Sequence, residues 1–393
     1  MKTLQIIPSI SLIYGGPSQM VLGLAPALAK AGVEVTILTT DSNGDNGQKP
    51  LDVPLNIPIK QDGYEVIYFR CAPFRRYKFS LDLLKFLKNN AQYFDIAHIH
   101  ALFSPISSAA AIVCRQQNLP YILRPLGTLD PSDLRKKEQL KQLYVALLER
   151  RNLAGASGIH FTSEQEAKIS SRFGVSTKDL VIPLGVIPPE NNTENIRNKF
   201  GIDNDKPVIL FMSRIDPKKG LELLIPALEK LSIQGLDFHF VLAGTNPQDP
   251  IYEQKIKSEI ENSQLKSHTT ITGFVTGEAK ISLLQTADLF VLPSYYENFG
   301  IAVAEAMVAG TPVVISDQVH IYQQVLDSES GWVGTTDVES IVRLLTTALS
   351  NLQECQRRGL NAQKYALQHF SWDAITQQVI QAYREIVVEN TIF

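Results

Sequence analysis

Short apolar segments alternate with amphipathic ones along the chain, and this alternation predicts the elements of the fold. Residues 4–10 are apolar, the pair Gly15-Gly16 follows, and residues 17–30 place apolar side chains at helical spacing. Residues 33–39 are apolar again, so the N-terminal forty residues predict a strand, a helix and a second strand. The glycine pair fits the tight first turn of such a unit, but it is short of the full dinucleotide-binding fingerprint.

A second series of the same kind predicts a second domain. It begins with the apolar residues 208–212, in a chain of 393 residues that exceeds the usual size of one domain. Residues 185–193, with the sequence GVIPPENNT, have the composition of a linker. We therefore expect an α/β protein with one domain at 1–187, a second at 188–370, and a C-terminal helix within 371–393.

Residues 291–310, with the sequence VLPSYYENFGIAVAEAMVAG, predict a strand, a loop and a helix. Glu297 lies in the loop, and Glu305 lies a little over one turn into the helix. A helix N-terminus attracts anions through its free N–H groups and its dipole, and Gly300 lets the backbone approach a ligand closely. This arrangement suits a phosphate between two hydroxyl-bearing rings. Two solvated acids beside an ordinary helix are the alternative.

Two cations precede the predicted helix at 221–231. Arg214 and Lys219 form an R-x4-K pair in the loop that follows residues 208–212. A leaving diphosphate needs its charge neutralised, and a guanidinium offers two parallel N–H groups to phosphate oxygens. Together with the acids downstream, the pair predicts a diphosphate site. Two surface cations before a helix are the alternative.

Polar side chains also end two apolar strands in the first domain. Ligands gather at the carboxyl ends of parallel strands, so His100 is preferred to His98 as a site residue. Arg124 is a candidate for holding a phosphate or a carboxylate. A histidine with a purely structural role, and an ion pair between Arg124 and a nearby acid such as Asp130, are the alternatives.

Composition indicates a cytoplasmic protein with an ordinary globular interior. Hydrophobic residues make up 44% and charged residues 20% of the chain, and no apolar run reaches the ~20 residues of a membrane span. Cys71, Cys114 and Cys355 are scattered, which fits a reducing compartment better than a disulfide framework or a zinc site. We expect no nucleic-acid partner.

The two halves of the chain differ in charge. Residues 1–186 have a net charge of +6, and the remainder has a net charge of −9. The cations include Arg75, Arg76 and Lys78, and six more lie in a long helix predicted at 132–153. Such charge is usually a solvated face. A surface for an anionic acceptor, or for peripheral contact with the inner face of a membrane, is the alternative.

The pattern PS-x2-E-x-FG-x4-EAM-x2-G-x-PVV, at residues 293–314, resembles the E-x7-E motif of the retaining glycosyltransferases of family 4. Asn298 departs from that family, which usually has Gly at this position. The resemblance implies the GT-B fold, in which two Rossmann-like domains face each other across a cleft and the C-terminal helix crosses back to the first domain. The first domain would bind the acceptor and the second the nucleotide sugar.

The resemblance also implies a role for individual residues. Glu297, His100, Arg214 and Lys219 would be catalytic, with Glu297 on a hexose hydroxyl and the two cations on the diphosphate. The donor would further be bound by Gly16, Phe274, Asn298, Phe299, Gly300, Ile301 and Glu305, with Glu305 on the ribose. Gly15 and Arg124 would contact the acceptor.

The activity that the resemblance implies is retaining hexosyl transfer without a metal or another cofactor. We expect UDP-glucose as the donor and a saccharide or polyprenyl-linked acceptor, in exopolysaccharide biosynthesis. Asp203-Asn204-Asp205 matches the D-x-D metal motif of the other large glycosyltransferase fold, but it precedes a strand, where a turn explains it. A UDP-sugar epimerase on the same scaffold, or a non-catalytic nucleotide-sugar-binding partner, are the alternatives.

Overall fold

The computed structural model describes residues 1–45, 48–72, 77–135, 138–189, 196–203 and 205–391, apart from the side chains of Ser132 and Thr391. The chain divides into two compact units, of which the first is Met1–Gly185 with Trp372–Phe393 and the second is Val186–Ser371. Several residues weighed from the sequence lie outside the described residues: Arg75, Arg76, Lys136, Lys137 and Asn204.

The first unit is built on a mostly parallel sheet. Its strands are β1 (Lys2–Ile6), β2 (Glu34–Thr40), β3 (Pro58–Lys60), β4 (Glu65–Phe69), β5 (Ile96–His100), β6 (Tyr121–Arg124), β7 (Gly158–Phe161) and β8 (Asp179–Val181). Its helices before the linker are α1 (Gly16–Lys30), α2 (Leu81–Asn90), α3 (Pro105–Gln116), α4 (Pro131–Leu134), α5 (Glu138–Tyr144), α6 (Arg150–Ala154) and α7 (Glu164–Ile169). In the described part, the strand order is β3-β4-β2-β1-β5-β6-β7-β8, and only β3 runs antiparallel to its neighbour.

The second unit is built on a parallel sheet of order β11-β10-β9-β12-β13-β14 within the described residues. Its strands are β9 (Val208–Met212), β10 (His239–Ala243), β11 (Thr269–Gly273), β12 (Leu289–Leu292), β13 (Val313–Ser316) and β14 (Gly331–Gly334). Its helices are α8 (Ile196–Phe200), α9 (Leu221–Ile233), α10 (Pro250–Glu261), α11 (Gly277–Thr286), α12 (Ile301–Val308), α13 (Tyr322–Asp327), α14 (Val338–Leu349) and α15 (Leu352–His369). The expected α/β class with two parallel sheets is confirmed.

The last helix, α16 (Trp372–Thr391), belongs to the first unit. Its first residue, Trp372, lies against two glycines that leave room for the indole. A Cβ on Gly23 would lie 2.3 Å from the ring, and a Cβ on Gly185 would lie 2.2 Å from it. Because any larger side chain at either position would overlap the indole, these glycines are what allow α16 to dock here.

Alternate residues of the strands serve the two faces of the first sheet. Leu38 packs in one hydrophobic core with Leu83 of α2, whereas its neighbour Ile37 packs in a second core with Val21 of α1 and Ile380 of α16. Successive residues of a strand point to opposite faces. Most positions of the central strands are therefore buried, which explains why their sequences are largely apolar.

Both sheets contain a point where the strand order reverses. In the first unit β1 lies between β2 and β5, and in the second unit β9 lies between β10 and β12. Neighbouring connections leave such a point in opposite directions, which opens a crevice at the carboxyl ends of the two strands. The loops after β1 and β5, and the loops after β9 and β12, are therefore where each unit is built to bind a ligand.

The helix expected at 132–153 is helical over most of its length but is not one regular α-helix. The structure has α4, α5, a π-helical turn at Val145–Glu149 and α6 in its place. The π turn ends at Glu149, whose carboxylate points into the unit. Its Oε1 accepts hydrogen bonds from Ser108 Oγ at 2.6 Å and from the backbone N–H of Phe103 at 3.0 Å. Among the described residues, no helix combines the length and apolar character needed to cross a bilayer.

Candidate functional site

The two loops at the reversal point of the second sheet lie against each other. The loop after β9 carries Arg214 and Lys219 and ends at Gly220, whose φ is +71°. A Cβ on Gly220 would lie 2.2 Å from the carbonyl oxygen of Pro293, at the start of the loop after β12. The backbone N–H of Tyr295 donates to the carbonyl of Lys218 at 2.9 Å. Glycine at position 220 is therefore what brings the cationic loop onto the acidic one.

Glu297 is held at both its backbone groups and at its side chain. Its N–H donates to the carbonyl of Gln318 at 3.0 Å, and its carbonyl accepts from the N–H of His320 at 3.0 Å. Its carboxylate forms an ion pair with the ammonium of Lys219. The side chains of Lys219 and Glu297 are 16% and 18% exposed. Two of the residues expected to be catalytic are thus in direct contact, at a position that solvent reaches only in part.

Arg214 differs from Lys219 in its exposure. Half of its side-chain surface is exposed, and its guanidinium lies 3.3 Å from a carboxylate oxygen of Asp216 and 3.5 Å from Gln248 Oε1. Exposed ion pairs of this kind contribute little to stability. The guanidinium therefore gives up little when an anionic ligand draws it away from Asp216.

The N-terminus of α12 stands between the two acids. Gly300 precedes the helix with a φ of +83°, and a Cβ there would lie 2.8 Å from Cγ1 of Val319. Phe299 is buried and packs edge-on against Phe370 with ring centroids 5.3 Å apart. This contact anchors the loop between β12 and α12 in the core of the second unit. The tyrosine hydroxyl of Tyr296 contacts Asn298 Oδ1 at 3.4 Å. The first N–H groups of a helix have no partner within it, so those that begin at Ile301 suit an anion.

A second acid–cation pair lies beside α12. Nζ of Lys280, on α11, lies 2.6 Å from Oε1 of Glu305, and both side chains are partly exposed. Lys280 was not predicted, because nothing in the sequence between 277 and 286 distinguishes this lysine from a solvated one. Phe274, which follows β11, is 74% exposed. The reversal point thus carries one acid–cation pair on each side of a helix N-terminus.

The polar residues at the reversal point of the first sheet are buried. His100 is fully buried, and its Nε2 lies 2.9 Å from Oε1 of Gln5. Gly15, with a φ of +70°, and Gly16 form the N-terminus of α1. His98, to which His100 was preferred, is equally buried and lies within hydrogen-bonding distance of Tyr383 and of His160.

Arg124 is a fully buried guanidinium. Its Nη1 contacts Sδ of Met20 at 2.8 Å, and within the described residues its Nε and Nη2 have no hydrogen-bond partner. Burial lowers the pKa of Arg124 to about 10, although the charge of Glu166 opposes that shift. Since a buried cation normally has a paired anion, Arg124 is the strongest candidate in this unit for contact with an anionic group.

In the expected turn at 203–205, the backbone N–H of Asp205 donates to the Asp203 carboxylate at 3.1 Å, and Asn204 lies outside the described residues. The three cysteines are buried, and none of them forms a disulfide. Burial raises the pKa of the Cys114 thiol to about 12, so this thiol is unreactive at neutral pH.

Two family models match the chain, one after the other. Residues 15–185 match the glycosyl transferase 4-like domain, and residues 192–365 match the glycosyl transferases group 1. The chain is 32% identical to an alpha-D-kanosaminyltransferase of Streptomyces kanamyceticus over 50% of each chain. It is 25% identical to a phosphatidyl-myo-inositol mannosyltransferase of Mycolicibacterium smegmatis over 95% of this chain and 91% of that protein. The chain spans about half the length of some curated relatives that it matches.

Solved structures with the same fold extend over the whole chain. A sucrose-phosphate synthase from Thermosynechococcus elongatus superposes with a TM-score of 0.78 at 22% identity, covering 99% of this chain and 100% of that one. Anabaena HepE in complex with UDP and glucose superposes with a TM-score of 0.77 at 20% identity, covering 98% and 99%. The family resemblance found in the motif is confirmed: the chain belongs to the group 1 glycosyltransferases of family-4 type and has the GT-B fold.

Proposed function

We propose that this protein is a retaining, metal-independent glycosyltransferase that moves a hexose from a UDP-sugar to a saccharide or lipid-linked acceptor. The observation that carries the proposal is the pair of acid–cation contacts, Lys219 with Glu297 and Lys280 with Glu305, on either side of the α12 N-terminus. An anion can bind at the helix N-terminus and the cations, and the acids on either side can accept hydrogen bonds from two hydroxyl-bearing rings. A nucleotide sugar has that constitution.

The donor would bind by exchanging partners with these pairs. Its diphosphate draws Lys219 and Arg214 away from Glu297 and Asp216, and Glu297 then accepts a hydrogen bond from a hexose hydroxyl. Glu305 likewise passes from Lys280 to the ribose hydroxyls. Because the cations already stand at the site, they neutralise the charge that develops on the leaving diphosphate without a large rearrangement.

The reaction breaks the bond between the anomeric carbon and the diphosphate oxygen, and it forms a bond from that carbon to the acceptor oxygen on the same face. The proton of the acceptor hydroxyl passes to the leaving phosphate, so no protein base is required. Glu297 and Glu305 therefore do not act as the acid and nucleophile of a hydrolase. Lys219 and Arg214 supply the positive charge that a metal ion supplies in glycosyltransferases with the D-x-D motif.

Glucose is our first choice of hexose. The HepE structure, which shares the fold, is described as a complex with UDP and glucose. The mannosyltransferase relative acts, by its name, on phosphatidyl-myo-inositol, which motivates a lipid-linked or saccharide acceptor. A place in exopolysaccharide biosynthesis is part of the proposal. For the first unit we propose that His100 contacts the sugar, that Gly16 contacts the donor phosphates, and that Gly15 and Arg124 contact the acceptor.

A nucleotide-release assay over several UDP- and GDP-sugars, with and without saccharide and polyprenyl-phosphate acceptors, tests this function. We expect UDP release from UDP-glucose that rises with acceptor, persists in chelator, and yields a product of retained anomeric configuration. UDP-sugar isomerisation without acceptor would identify an epimerase instead. UDP-sugar binding with no turnover under any acceptor would identify a non-catalytic binding protein.

We also propose peripheral contact of the first unit with an anionic membrane surface. Leu140 and Leu143 of α5 and Leu147 of the π turn are each more than half exposed, and the exposed Arg150 and Arg151 follow them. An apolar stripe with cations at its end suits the boundary between acyl chains and anionic headgroups.

Sedimentation with vesicles of phosphatidylcholine, with or without phosphatidylglycerol, tests that contact. Leu143→Gln should weaken binding to the anionic vesicles about thirtyfold, since burial of one leucine contributes ~2 kcal/mol. Leu360→Gln, at an exposed leucine of α15, is the matched control. Equal binding of the two variants, or self-association that Leu143→Gln abolishes, would contradict membrane contact.

A further inference from the structure

Hydrogen bonds between buried side chains connect the backbone of Ile182 to the ring of His100, which lies at the end of β5. The contacts, in order, are His160 Nε2 to the Ile182 carbonyl at 2.8 Å, His160 Nδ1 to His98 Nε2 at 3.2 Å, His98 Nδ1 to Tyr383 Oη at 2.8 Å, Tyr383 Oη to Gln5 Nε2 at 3.0 Å, and Gln5 Oε1 to His100 Nε2 at 2.9 Å. We call this set the buried relay. Tyr383 lies on α16, so the relay joins the end of the chain to strands near its start.

Burial fixes how many protons the relay holds. Desolvation, with the charge of Arg124 nearby, lowers the pKa of His160 to about 3. The same causes, together with neighbouring rings, place the pKa values of His98 and His100 well below the ordinary value of 6.5. Burial raises the pKa of Tyr383. At neutral pH each imidazole therefore carries one proton, and the tyrosine keeps its own.

The carbonyl of Ile182 sets the direction of the first bonds. A carbonyl can only accept, so the single proton of His160 lies on Nε2 and its Nδ1 presents a lone pair. His98 must then donate from Nε2, which leaves its Nδ1 as an acceptor. The hydroxyl of Tyr383 is the donor to that nitrogen. No other assignment of single protons satisfies both contacts of His160.

The hydroxyl of Tyr383 sets the direction of the remaining bonds. Its only proton goes to His98, so its oxygen accepts from the amide nitrogen of Gln5. The amide oxygen of Gln5 therefore faces His100, which must donate from Nε2. The second nitrogen of that ring, Nδ1, is left with a lone pair. Within the described residues, Nδ1 of His100 has no hydrogen-bond partner.

We propose that His160 and Tyr383 are positioning residues that hold His100 in the tautomer whose Nδ1 accepts a hydrogen bond. A ligand group that reaches this nitrogen must then donate, which a sugar hydroxyl does and a phosphate dianion does not. The inference deepens the proposed function, because it rests on His100 as the residue beside the sugar. It makes His100 a hydrogen-bond acceptor toward the ligand. It also gives α16 a functional role, because Tyr383 of this helix sets the tautomer of His100.

Nitrogen-15 NMR of the full chain labelled at histidine tests the inference, because protonated and unprotonated ring nitrogens have well-separated shifts. His98, His100 and His160 should each show a protonated Nε2 and an unprotonated Nδ1 at pH 7. The single variants His98→Gln, His100→Gln and His160→Gln assign the signals. Correlation of the ring signals with the backbone assigns His100 in the unsubstituted protein as well, so a protonated Nδ1 on His100 there would overturn the inference even if no variant folds.

Tyr383→Phe tests whether the relay carries the direction. The variant keeps the ring that packs in the core but removes the hydroxyl, so the amide of Gln5 loses its orientation. We expect His100 to divide its proton between the two nitrogens. Ile386→Val, at a buried apolar position one turn along α16, is the matched control and should leave the shifts unchanged. Identical His100 shifts in Tyr383→Phe and the unsubstituted protein would overturn the proposal.

The tautomer of His100 is measured without turnover. The proposed function and the inference about the tautomer can therefore be rejected independently of each other. The expected shifts in a protein without transferase activity would reject the proposed function and support the relay. Full transferase activity in a protein whose His100 is protonated at Nδ1 would do the reverse.

Discussion

The reversal points of the two sheets occupy the same place in their folds, yet the side chains found there differ in charge and in burial. In the first unit the buried relay consists of neutral imidazoles, an amide and a phenol, with Arg124 as a buried cation beside them. In the second unit they are charged pairs that remain partly exposed, Lys219 with Glu297 and Lys280 with Glu305. Topology fixes where a site can form, and access of water decides which side chains can be used there.

The energetic reason is the cost of removing charge from water. An ion loses several kcal/mol of solvation when it is buried, and a paired ion recovers this only with good geometry. The relay avoids the cost by keeping its rings neutral, and therefore holds a fixed pattern of donors and acceptors. The pairs of the second unit retain contact with solvent, so their partners can be exchanged for those of a ligand.

The largest expected effect is the loss of stability of the first unit in mild acid. Since the pKa values of His98, His100 and His160 are lowered on folding, the unfolded chain binds more protons than the folded one below pH ~6.5. The stability that these rings contribute is complete above that pH and falls as the pH falls. Each ring costs up to ~1.4 kcal/mol per pH unit.

Urea unfolding followed between pH 7.5 and 5 measures this loss. The free energy of unfolding of the first unit should fall by several kcal/mol, with the midpoint shifting accordingly, and His160→Gln should reduce the slope against pH. An equal pH dependence in that variant and the unsubstituted protein would show that the relay does not bear on acid sensitivity.

A charge change at the second reversal point should reduce turnover by the next largest factor. Lys219→Met removes a cation from the leaving group, and we expect kcat to fall by about 10²–10³. Lys230→Met is the matched control, because Lys230 also pairs with an acid, Glu339, on the exposed surface of the same unit. Steady-state UDP release separates the two. Similar losses in both variants would indicate a general electrostatic effect instead of a site.

A glycine substitution at each reversal point should change the stability of the protein by different amounts. Gly300→Ala places a Cβ at a φ of +83° and 2.8 Å from Val319, and we expect it to cost about 2 kcal/mol. Gly16→Ala, at the start of α1, meets no atom within 4 Å and should change stability by less than ~1 kcal/mol. Calorimetric Tm values measure both. A Gly300→Ala variant as stable as Gly16→Ala would show that the loop relaxes freely.

The smallest expected effect is at the ribose. Glu305→Gln removes the charge but keeps an oxygen that can accept a hydrogen bond, so about 1 kcal/mol is lost. KM for the donor should rise about fivefold with kcat nearly unchanged. A fall of kcat in this variant to the level of Lys219→Met would place Glu305 at the reacting bond and contradict its assignment to the ribose.

The class of the fold and the family could both be predicted from the order of residues along the chain. Largely apolar runs separated by amphipathic segments are what a parallel sheet covered on both faces requires, so β9 was predicted with the bounds that the structure has. The motif around Glu297 and Glu305 is local in the chain. Because its spacing follows from one loop and one helix, sequence alone placed both acids at the α12 N-terminus.

Contacts between side chains that are distant in sequence could not be predicted and are known only from the folded structure. Lys280 joins Glu305, and Tyr383 joins His98, through contacts between segments 25 and 285 residues apart in sequence. The helix expected at 132–153 contains a π-helical turn that was not predicted, and Glu149 of that turn contacts Ser108 of α3. No local pattern records such contacts, since they depend on which elements become neighbours when the core is buried.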